Sequence, residues 1–329
     1  MVERTPEVIT VGEAMALFIA RAAEPLAEVR DFERATAGAE LNVAVGLSRL
    51  GFRVGYLSAL GDDTLGANLL AFMDAEGIDR SRVAIDTHHP TGFMLKAMTE
   101  DGSDPQVEYY RRGSAASHLS SAVLPAALPT ALANADPWHQ ARLLHLTGIS
   151  PALSDGCREL VFAMAQQARA AGRTVTFDPN LRPRLWPSQA VMIETLNALA
   201  PLADVVMPGL AEGRLLTGHK DAAGIADFYL ERGARQVVVK LGATGAYYAD
   251  AAARGIAPGY PVAAVVDTVG AGDGFAVGVI SALLEGLPLA QAAARGNAIG
   301  ARVVQFRGDC EGLPTREQLQ DATAPPHRR

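Results

Sequence analysis

The chain has 329 residues, of which 49% are hydrophobic and 20% are charged, so it can bury a sizeable core and lacks the composition of a disordered protein. Its 36 acidic and 29 basic side chains give a formal net charge of −7, which argues against nucleic acid or an anionic membrane surface as a partner. The two cysteines lie outside any metal-binding spacing, which argues against a zinc site or a disulfide framework and fits a reducing compartment.

The first part of the chain alternates strand-like and helix-like segments. The N-terminal residues lack the apolar core of a signal peptide, and the first predicted strand is Val8–Gly12. Helices are predicted over Ala39–Leu50, which Gly51 ends, and over Leu65–Ala75, with a strand at Val54–Leu60 between them. This βαβ alternation predicts a parallel sheet.

Two segments interrupt the alternation. Residues 16–36 lack helical periodicity and are predicted to form short strands. Residues 93–98 and 107–111 flank a turn-rich stretch, which is typical of a β-hairpin. We therefore predict a β-sheet lid, contributed by about residues 15–37 and 90–113, over a site on the main sheet.

The remaining chain returns to alternating strands and helices. No internal repeat, linker or run of about 20 apolar residues interrupts it, so we predict one cytoplasmic domain over residues 1–329, with a flexible tail at 322–329. The predicted strands are Leu143–Leu146, Thr174–Asp178, Asp204–Met207 and Gln236–Leu241, and the predicted helices are Asp155–Ala171, Gly274–Glu285 and Leu289–Gln305.

Polar side chains follow most of the predicted strands. Ligands of open α/β sheets bind at the carboxyl ends of the strands, so residues that share this edge are candidates for a site. Glu13 ends the first strand, and Asp178, Arg182, Glu212 and Lys240 follow later ones. Alternative interpretations remain for two of them: Glu212 as an early-helix carboxylate favoured by the helix dipole, and Arg182 as a solvated loop residue.

The segment Asp267–Phe275, with the sequence DTVGAGDGF, is the most informative one. It follows the apolar run Val262–Val266, expected to be extended, and precedes a predicted helix. A glycine-rich turn that leads into a helix offers N–H groups and a positive dipole end to an anion. A carboxylate at Asp273 would repel that anion, so its presence there needs another explanation. It could take a proton from an attacking hydroxyl, and we therefore predict phosphoryl transfer to an alcohol. The alternative is an ordinary helix start rich in small residues, which leaves two closely spaced glycines unexplained.

Two separate motifs resemble those of the ribokinase-like, or PfkB-type, carbohydrate kinases. DTVGAGDGF is similar to the C-terminal signature of that family, and Ala37–Ala44, followed by Leu50–Gly51 and Gly61–Gly66, is similar to its N-terminal signature. The resemblance covers nearly the whole chain. It implies an α/β, ribokinase-like three-layer fold with a mostly parallel central sheet and a small β-sheet lid, which often carries a dimer interface. It also implies ATP as donor with Mg²⁺, and leaves open a need for a monovalent cation such as K⁺.

The resemblance assigns catalytic roles to the C-terminal motif. Asp273 would be the general base for the primary hydroxyl of the sugar. Gly270, Ala271 and Gly272 would donate backbone N–H groups to the transferred phosphoryl group. Such a transfer needs mainly positioning and electrostatics, so few side chains suffice.

The resemblance also assigns residues to the nucleotide and its metal ion. Glu212 matches the final acid of a motif that helps to organise Mg²⁺, commonly through water, although Gly209 replaces the asparagine of that motif. The residues expected near the nucleotide are Lys240, Gly242, Gly245, Gly270, Gly272 and Asn297.

Within the family, four segments resemble 2-keto-3-deoxygluconate kinases, whose substrate carries a carboxylate beside a keto group. An arginine offers a bidentate fork that matches a carboxylate, and Arg111 and Arg182 are the candidates. One departure is Met94, which stands where these kinases often have a tyrosine. The four segments are Gly38–Asn42, Tyr109–Ala115, Asp178–Arg182 with Leu185–Trp186, and Arg307–Thr315. The residues expected to bind this substrate are Gly38, Asn42, Tyr109, Arg111, Arg182 and Asp309.

Other functions stay open at this stage. The same chemistry on fructose or a related keto-acid is the nearest alternative. A non-catalytic sugar-binding protein on the same fold would have no need of a base at Asp273. A dinucleotide-dependent oxidoreductase is disfavoured because Gly12–Glu13 ends the first strand without a GxGxxG turn. We expect sugar and ATP as partners, and a homo-oligomer that forms through the lid.

Overall fold

The computed structural model of the chain describes residues 5–99, 105–120 and 140–323, with 321–323 as backbone only. Within these residues the strands form a nine-stranded sheet and a separate four-stranded sheet. The strands are β1 (Val8–Val11), β2 (Met15–Ala20), β3 (Phe32–Ala37), β4 (Val54–Gly61), β5 (Asp79–Asp86), β6 (Phe93–Lys96), β7 (Val107–Tyr110), β8 (Leu143–Thr147), β9 (Thr174–Asp178), β10 (Val205–Val206), β11 (Gln236–Lys240), β12 (Gly245–Asp250) and β13 (Arg254–Pro258). The helices are α1 (Ala39–Arg49), α2 (Thr64–Ala75), α3 (Ser150–Leu153), α4 (Asp155–Ala170), α5 (Gln189–Leu199), α6 (Leu210–Thr217), α7 (Ala222–Leu230), α8 (Ala271–Leu284), α9 (Leu289–Val303) and α10 (Arg316–Thr323).

The larger sheet has the strand order β13-β12-β11-β10-β9-β8-β1-β4-β5. Neighbouring strands from β11 to β5 pair in parallel, whereas β12 and β13 extend one edge as an antiparallel hairpin. The chain order reverses between β1 and β8, which pair through Val8 and Leu143. A reversal of this kind leaves a crevice at the carboxyl ends of the strands, so a ligand is expected there.

Helices cover both faces of the larger sheet. Val8 of β1 packs into a hydrophobic cluster with residues of α1, α8 and α9. Ile9 and Val11 of the same strand point the other way, into a cluster with residues of α4 and α5. The predicted α/β fold, with three layers and a mostly parallel central sheet, is confirmed.

The four-stranded sheet, with the order β3-β2-β6-β7, is the lid. Strands β6 and β7 form the predicted hairpin, in which Phe93 lies opposite Tyr110 and Lys96 opposite Val107. Strand β2 pairs with β3 in the antiparallel and with β6 in the parallel direction. The small lid sheet is therefore confirmed. Its own buried cluster consists of Met15, Leu17, Ala37 and Met94.

The structure differs from the sequence prediction at the edges of the larger sheet. The apolar run Val262–Val266, expected to be extended, forms no strand, and Val265 is 41% exposed. The hairpin β12–β13 lies at one edge of the larger sheet and β5 at the other. The sequence pattern predicts neither of them. Strand β5 is an edge strand without a fully buried residue, so it lacks the continuous apolar run that is typical of a buried parallel strand.

The ends of several elements follow the predicted signals. Gly51 has a φ of 87° and ends α1 as expected. Helix α10 runs through Thr323, and the rest of the tail expected at 322–329 lies outside the described residues. In the part of the chain that the structure describes, every helix is too short or too polar to cross a bilayer.

Candidate active site

A cavity of about 350 Å³ lies between the lid and the carboxyl ends of the central strands. This volume is typical of a site for a small ligand. The lid and the α1 start contribute Met15, Ala37, Gly38, Ala39, Asn42, Met94, Tyr109 and Arg111, and the core contributes Ile149, Asp178, Asn180, Arg182, Glu212, Lys240, Thr268, Val269, Gly270, Gly272, Asp273 and Asp309.

One wall of the cavity is the turn that begins helix α8. Gly270 caps this helix in the left-handed conformation, with a φ of 81°. A Cβ atom there would lie 2.3 Å from the backbone oxygen of Asp309, so only glycine fits. The first N–H groups of a helix have no intrahelical acceptor and carry the positive end of the dipole. The Ala271 N–H donates to the Thr268 carbonyl at 3.4 Å, and Gly270 and Gly272 line the cavity, so the positive end of the α8 dipole lies at the cavity wall.

Asp273 lies in the first turn of α8 and is 8% exposed. Its Oδ2 accepts a hydrogen bond of 2.7 Å from Asn42 Nδ2, and its Oδ1 one of 3.4 Å from Asn180 Nδ2. Burial raises the pKa of Asp273 to about 7, assisted by Asp178 and Asp309, while Asn42 and Arg182 oppose the shift. A carboxyl group with this pKa can accept and release a proton near neutral pH, as a general base must.

Close helix packing brings Asn42 to Asp273. A Cβ atom at Gly46 of α1 would lie 2.5 Å from Val277 of α8, so the two helices approach as closely as a glycine permits. Gly38 begins α1 with a φ of 136°, and a Cβ atom there would lie 2.5 Å from a backbone oxygen. The N-terminal motif therefore serves to lay the start of α1 against the start of α8.

A buried ion pair lies beside the turn. Lys240 Nζ at the end of β11 is 2.6 Å from Asp178 Oδ2 at the end of β9. Burial alone would lower the pKa of Lys240, but the carboxylates of Asp178 and Glu212 more than offset this and raise it. A Cβ atom on Gly272 would lie 3.7 Å from Nζ, so a fixed positive charge lies next to the N–H groups of the turn.

The Glu212 carboxylate has structural partners of its own. Its Oε2 accepts the Gly209 N–H at 2.6 Å and its Oε1 accepts the Leu181 N–H at 2.8 Å, so it caps the start of α6. Glu212 therefore acts as an early-helix carboxylate, as the alternative interpretation proposed. The same side chain also lines the cavity. Each oxygen keeps a further lone pair for a water molecule.

The described residues contain no group of three or more His, Cys, Asp or Glu side chains that could hold a metal ion. Mg²⁺ is usually bound through one or two carboxylates together with water and substrate phosphates, rather than by a cage of protein ligands. Glu212, facing the cavity, fits that mode of binding.

The two candidate arginines differ in their surroundings. Arg111, 7% exposed, binds Glu13 Oε2 through Nε at 2.6 Å and Nη2 at 2.5 Å. Arg182 donates from Nη1 to the Leu181 carbonyl at 3.0 Å and forms no ion pair with any residue in the described ranges. The charge of Arg111 is thus balanced inside the protein, whereas that of Arg182 is available to a ligand. The role of Glu13 as partner of Arg111 is not visible in the sequence.

Four of the predicted site residues do not line the cavity: Ala271, Gly242, Gly245 and Asn297. Asn297 Nδ2 donates to the carbonyls of Ala257 and Pro258, at 3.0 Å each, and so fastens α9 to β13. Gly245 has a φ of 114° and begins β12 where a Cβ atom would meet a backbone oxygen at 2.1 Å. Asn180, in contrast, reaches Asp273 although only its segment was singled out by the sequence.

Comparison with known proteins agrees with this geometry. The chain matches the pfkB family carbohydrate kinase pattern over residues 5–316. It is 51% identical, over 95% of its length and 94% of the other, to a 2-dehydro-3-deoxygluconokinase of Bacillus subtilis. It superposes with a TM-score of 0.85 on a PfkB protein from a Polaromonas species, at 49% identity over 96% of this chain and 99% of the other.

A structure described as a ribokinase II from E. coli, in complex with ATP and Mg²⁺, also has a TM-score of 0.85, at 25% identity over 96% of this chain and 98% of the other. The family match spans nearly the whole chain, including the lid and the turn before α8. The chain therefore belongs to the pfkB family of carbohydrate kinases.

Proposed function

We propose that the protein transfers the terminal phosphoryl group of ATP to the terminal hydroxyl of 2-keto-3-deoxygluconate, giving the 6-phosphate. The observation that carries the proposal is the position of Asp273, a buried carboxyl with a pKa of about 7, in the first turn of the helix whose Gly270 and Gly272 line the same cavity. A binding protein would not need this costly arrangement, which argues against the non-catalytic alternative.

In this proposal Asp273 takes the proton from the attacking hydroxyl as the oxygen bonds to phosphorus. The N–H groups of Gly270, Ala271 and Gly272 receive the negative charge that develops on the phosphoryl oxygens. Lys240, 2.6 Å from Asp178 and next to Gly272, adds a positive charge on the same side. These groups are fixed before the reaction, so little reorganisation is required.

The nucleotide is expected beyond the turn, on the side of Lys240, Gly242, Gly245 and Asn297. The ATP and Mg²⁺ held by the E. coli relative support ATP as donor. Mg²⁺ neutralises phosphate charge when it is bound, and Glu212 would hold it through water. Asn297 acts here by fastening α9 to β13, which forms the expected wall of the nucleotide site.

The sugar acid is expected between the lid and Asp273. Arg182 carries the positive charge that is free to bind its carboxylate, with Tyr109 and Arg111 on the lid side of the cavity. Gly38, Asn42 and Asp309 are then available for hydroxyl groups. The name of the B. subtilis relative supports the same substrate. A neutral sugar such as fructose would leave Arg182 without a partner.

An ADP-release assay over acidic and neutral sugars tests this substrate. We expect kcat/KM for 2-keto-3-deoxygluconate to exceed that for fructose by about 100-fold or more, because a site built for a charged group rejects analogues that lack it. A higher kcat/KM for fructose would favour the neutral-sugar alternative. Absence of ADP release with every sugar, under conditions in which the sugar acid binds, would favour a binding protein.

The proposed oligomer uses the outer face of the lid. Phe93 stacks on Tyr110 with ring centroids 4.7 Å apart, and Phe18 contacts the edge of Phe93 at 6.1 Å. Tyr110 is 49% exposed and Phe18 and Phe93 are partly exposed, so this aromatic face is open to solvent in the part of the chain that the structure describes. A second copy of the chain would bury it, and we propose a homodimer through the lid.

We expect the protein to sediment as a dimer and Tyr110→Glu to shift it to the monomer, because a buried, unpaired carboxylate destabilises an interface. Ile256→Glu is the matched control, since Ile256 is 64% exposed and lies outside the lid, on the edge strand β13 of the larger sheet. A monomeric parent protein, or equal behaviour of both variants, would contradict the lid interface.

A further inference from the structure

A buried lysine on the lid has no part in the proposed chemistry. Lys96, at the end of β6, is 2% exposed and does not line the cavity. Its Nζ lies 2.6 Å from Asp267 Oδ2 and 3.0 Å from Asp309 Oδ1. A lysine is rarely buried so completely unless its charge is balanced, so the two carboxylates explain its position. They do not explain why the lid should supply it.

Both carboxylates belong to the scaffold of the turn before α8. Asp267 begins the turn, where its Oδ1 accepts the Val269 N–H at 3.0 Å and its Oδ2 the Gly308 N–H at 3.4 Å. The backbone oxygen of Asp309 packs against Gly270, the cap of α8. Lys96 Nζ is thus the point at which the lid, the start of the turn and the segment behind its glycine are joined.

The electrostatics require a cation at this point. Two carboxylates that are 5% and 4% exposed repel each other strongly, because water does not screen them there. Burial alone would lower the pKa of Lys96, but Asp309 and Asp267 more than offset this and raise it, so the ammonium stays charged. Without it, the two segments of the turn would be driven apart or would need a free cation.

We propose that Lys96 is a positioning residue, a built-in cation that assembles the anion-binding turn when the lid is seated on the core. Lys96 acts through Asp267 and Asp309 rather than by touching either substrate. The turn then needs no free monovalent cation such as K⁺ at this point. The inference rests on the proposed phosphoryl transfer, because the turn is taken to hold the transferred group.

The test compares Lys96→Ala, which leaves a cavity, with Lys96→Met, which fills most of it without a charge. Each variant is assayed with the best sugar of the parent protein in tetramethylammonium buffer, alone and with added K⁺, ammonium or ethylammonium. We expect the parent kcat to be independent of these ions. Both variants should lose about 100-fold in kcat, as expected for a displaced catalytic group.

Rescue separates positioning from general stability. Ethylammonium or K⁺ should restore at least part of the lost kcat in Lys96→Ala and none in Lys96→Met. The same ions should raise the melting temperature of Lys96→Ala without substrate, and this measurement stands even if the parent protein phosphorylates no sugar tested. A parent protein that requires K⁺, or an Ala variant that no cation rescues in either measurement, would overturn the proposal.

Two further variants keep the result interpretable. Thr36→Val removes the contact of 3.7 Å between Thr36 Oγ1 and Cys310 Sγ, another link between lid and core, and should leave kcat nearly unchanged. If Lys96→Ala does not fold, Lys96→Met combined with Asp267→Asn removes one charge of each sign and should restore folding. This double variant should still turn over about 100-fold more slowly, and full activity in it would overturn the proposal.

Discussion

Replacement of Asp273 by asparagine is expected to lower kcat by about 1000-fold or more, within the range that a general base contributes. Asparagine keeps the shape of the side chain and an oxygen that can accept the Asn42 hydrogen bond, now 2.7 Å long. It cannot take a proton from the sugar. Binding of the sugar, measured by calorimetry, should change little, because the substituted group acts mainly in the transition state.

Glu40→Gln is the matched control for the loss of a buried carboxylate. Glu40 is 1% exposed, lies outside the cavity lining and accepts hydrogen bonds from Thr147 and Ser150. Its variant should keep turnover close to that of the parent protein. Activity of Asp273→Asn near the parent level would contradict the proposed mechanism, whatever the control does.

The pH dependence of the parent protein should report the same group. Because the pKa of Asp273 is about 7, kcat/KM should rise through neutral pH as the carboxyl ionises. The folded pKa lies above the ordinary value of 3.8, so the native state holds the proton more tightly than the unfolded chain does. This group's contribution to stability is complete below about pH 4 and is lost as the pH rises through about 7.

The Asp273→Asn variant has no ionisable group at this position, so it does not lose this stability as the pH rises. Its free energy of unfolding should therefore exceed that of the parent protein at pH 8, by up to about 4 kcal/mol at about 1.4 kcal/mol per pKa unit, and the difference should shrink toward pH 5. Denaturant unfolding at the two pH values measures it. Loss of activity together with a gain of stability is a result that simple damage to the fold would not produce.

Motifs that are contiguous in sequence were predictable, and so was much of the fold. Gly270 and Asp273 are three positions apart within one turn, and their chemistry follows from the helix start that they form. The alternation of α1, β4 and α2 gave the layers, since each element carries its own hydrophobic period. Strands β5 and β13 lack that signal because they form the two edges of the larger sheet and bury few of their side chains.

Long-range charge pairs could not be predicted. Arg111 and Glu13 are 98 positions apart, and Lys96 and Asp309 are 213 apart, so no local pattern connects them. Arg111 and Arg182 look equivalent in the sequence, and only the structure shows that one of them already has a carboxylate. Lys96 could not be singled out for the same reason, because its partners are distant in the sequence. By itself it resembles an ordinary polar residue at the end of a lid strand.

This difference between the arginines leads to the second large effect. Arg182→Met should lower kcat/KM for 2-keto-3-deoxygluconate by about 100-fold, as expected for the loss of a charge-assisted pair with the substrate carboxylate. Neutral sugars should lose far less, since they offer Arg182 no charge. Arg182 forms no ion pair with the described residues, so the melting temperature should change little.

Arg111→Met should behave differently, because it leaves the buried Glu13 carboxylate without a positive partner. Glu13, 2% exposed, would lose its cation, which is strongly destabilising for a buried pair. We therefore expect a lower melting temperature and a loss of activity toward acidic and neutral sugars alike, both partly repaired by adding Glu13→Gln. If Arg111→Met instead affects the keto-acid alone and leaves stability intact, Arg111 rather than Arg182 binds the substrate carboxylate, and Glu13 must give up its partner when the substrate enters.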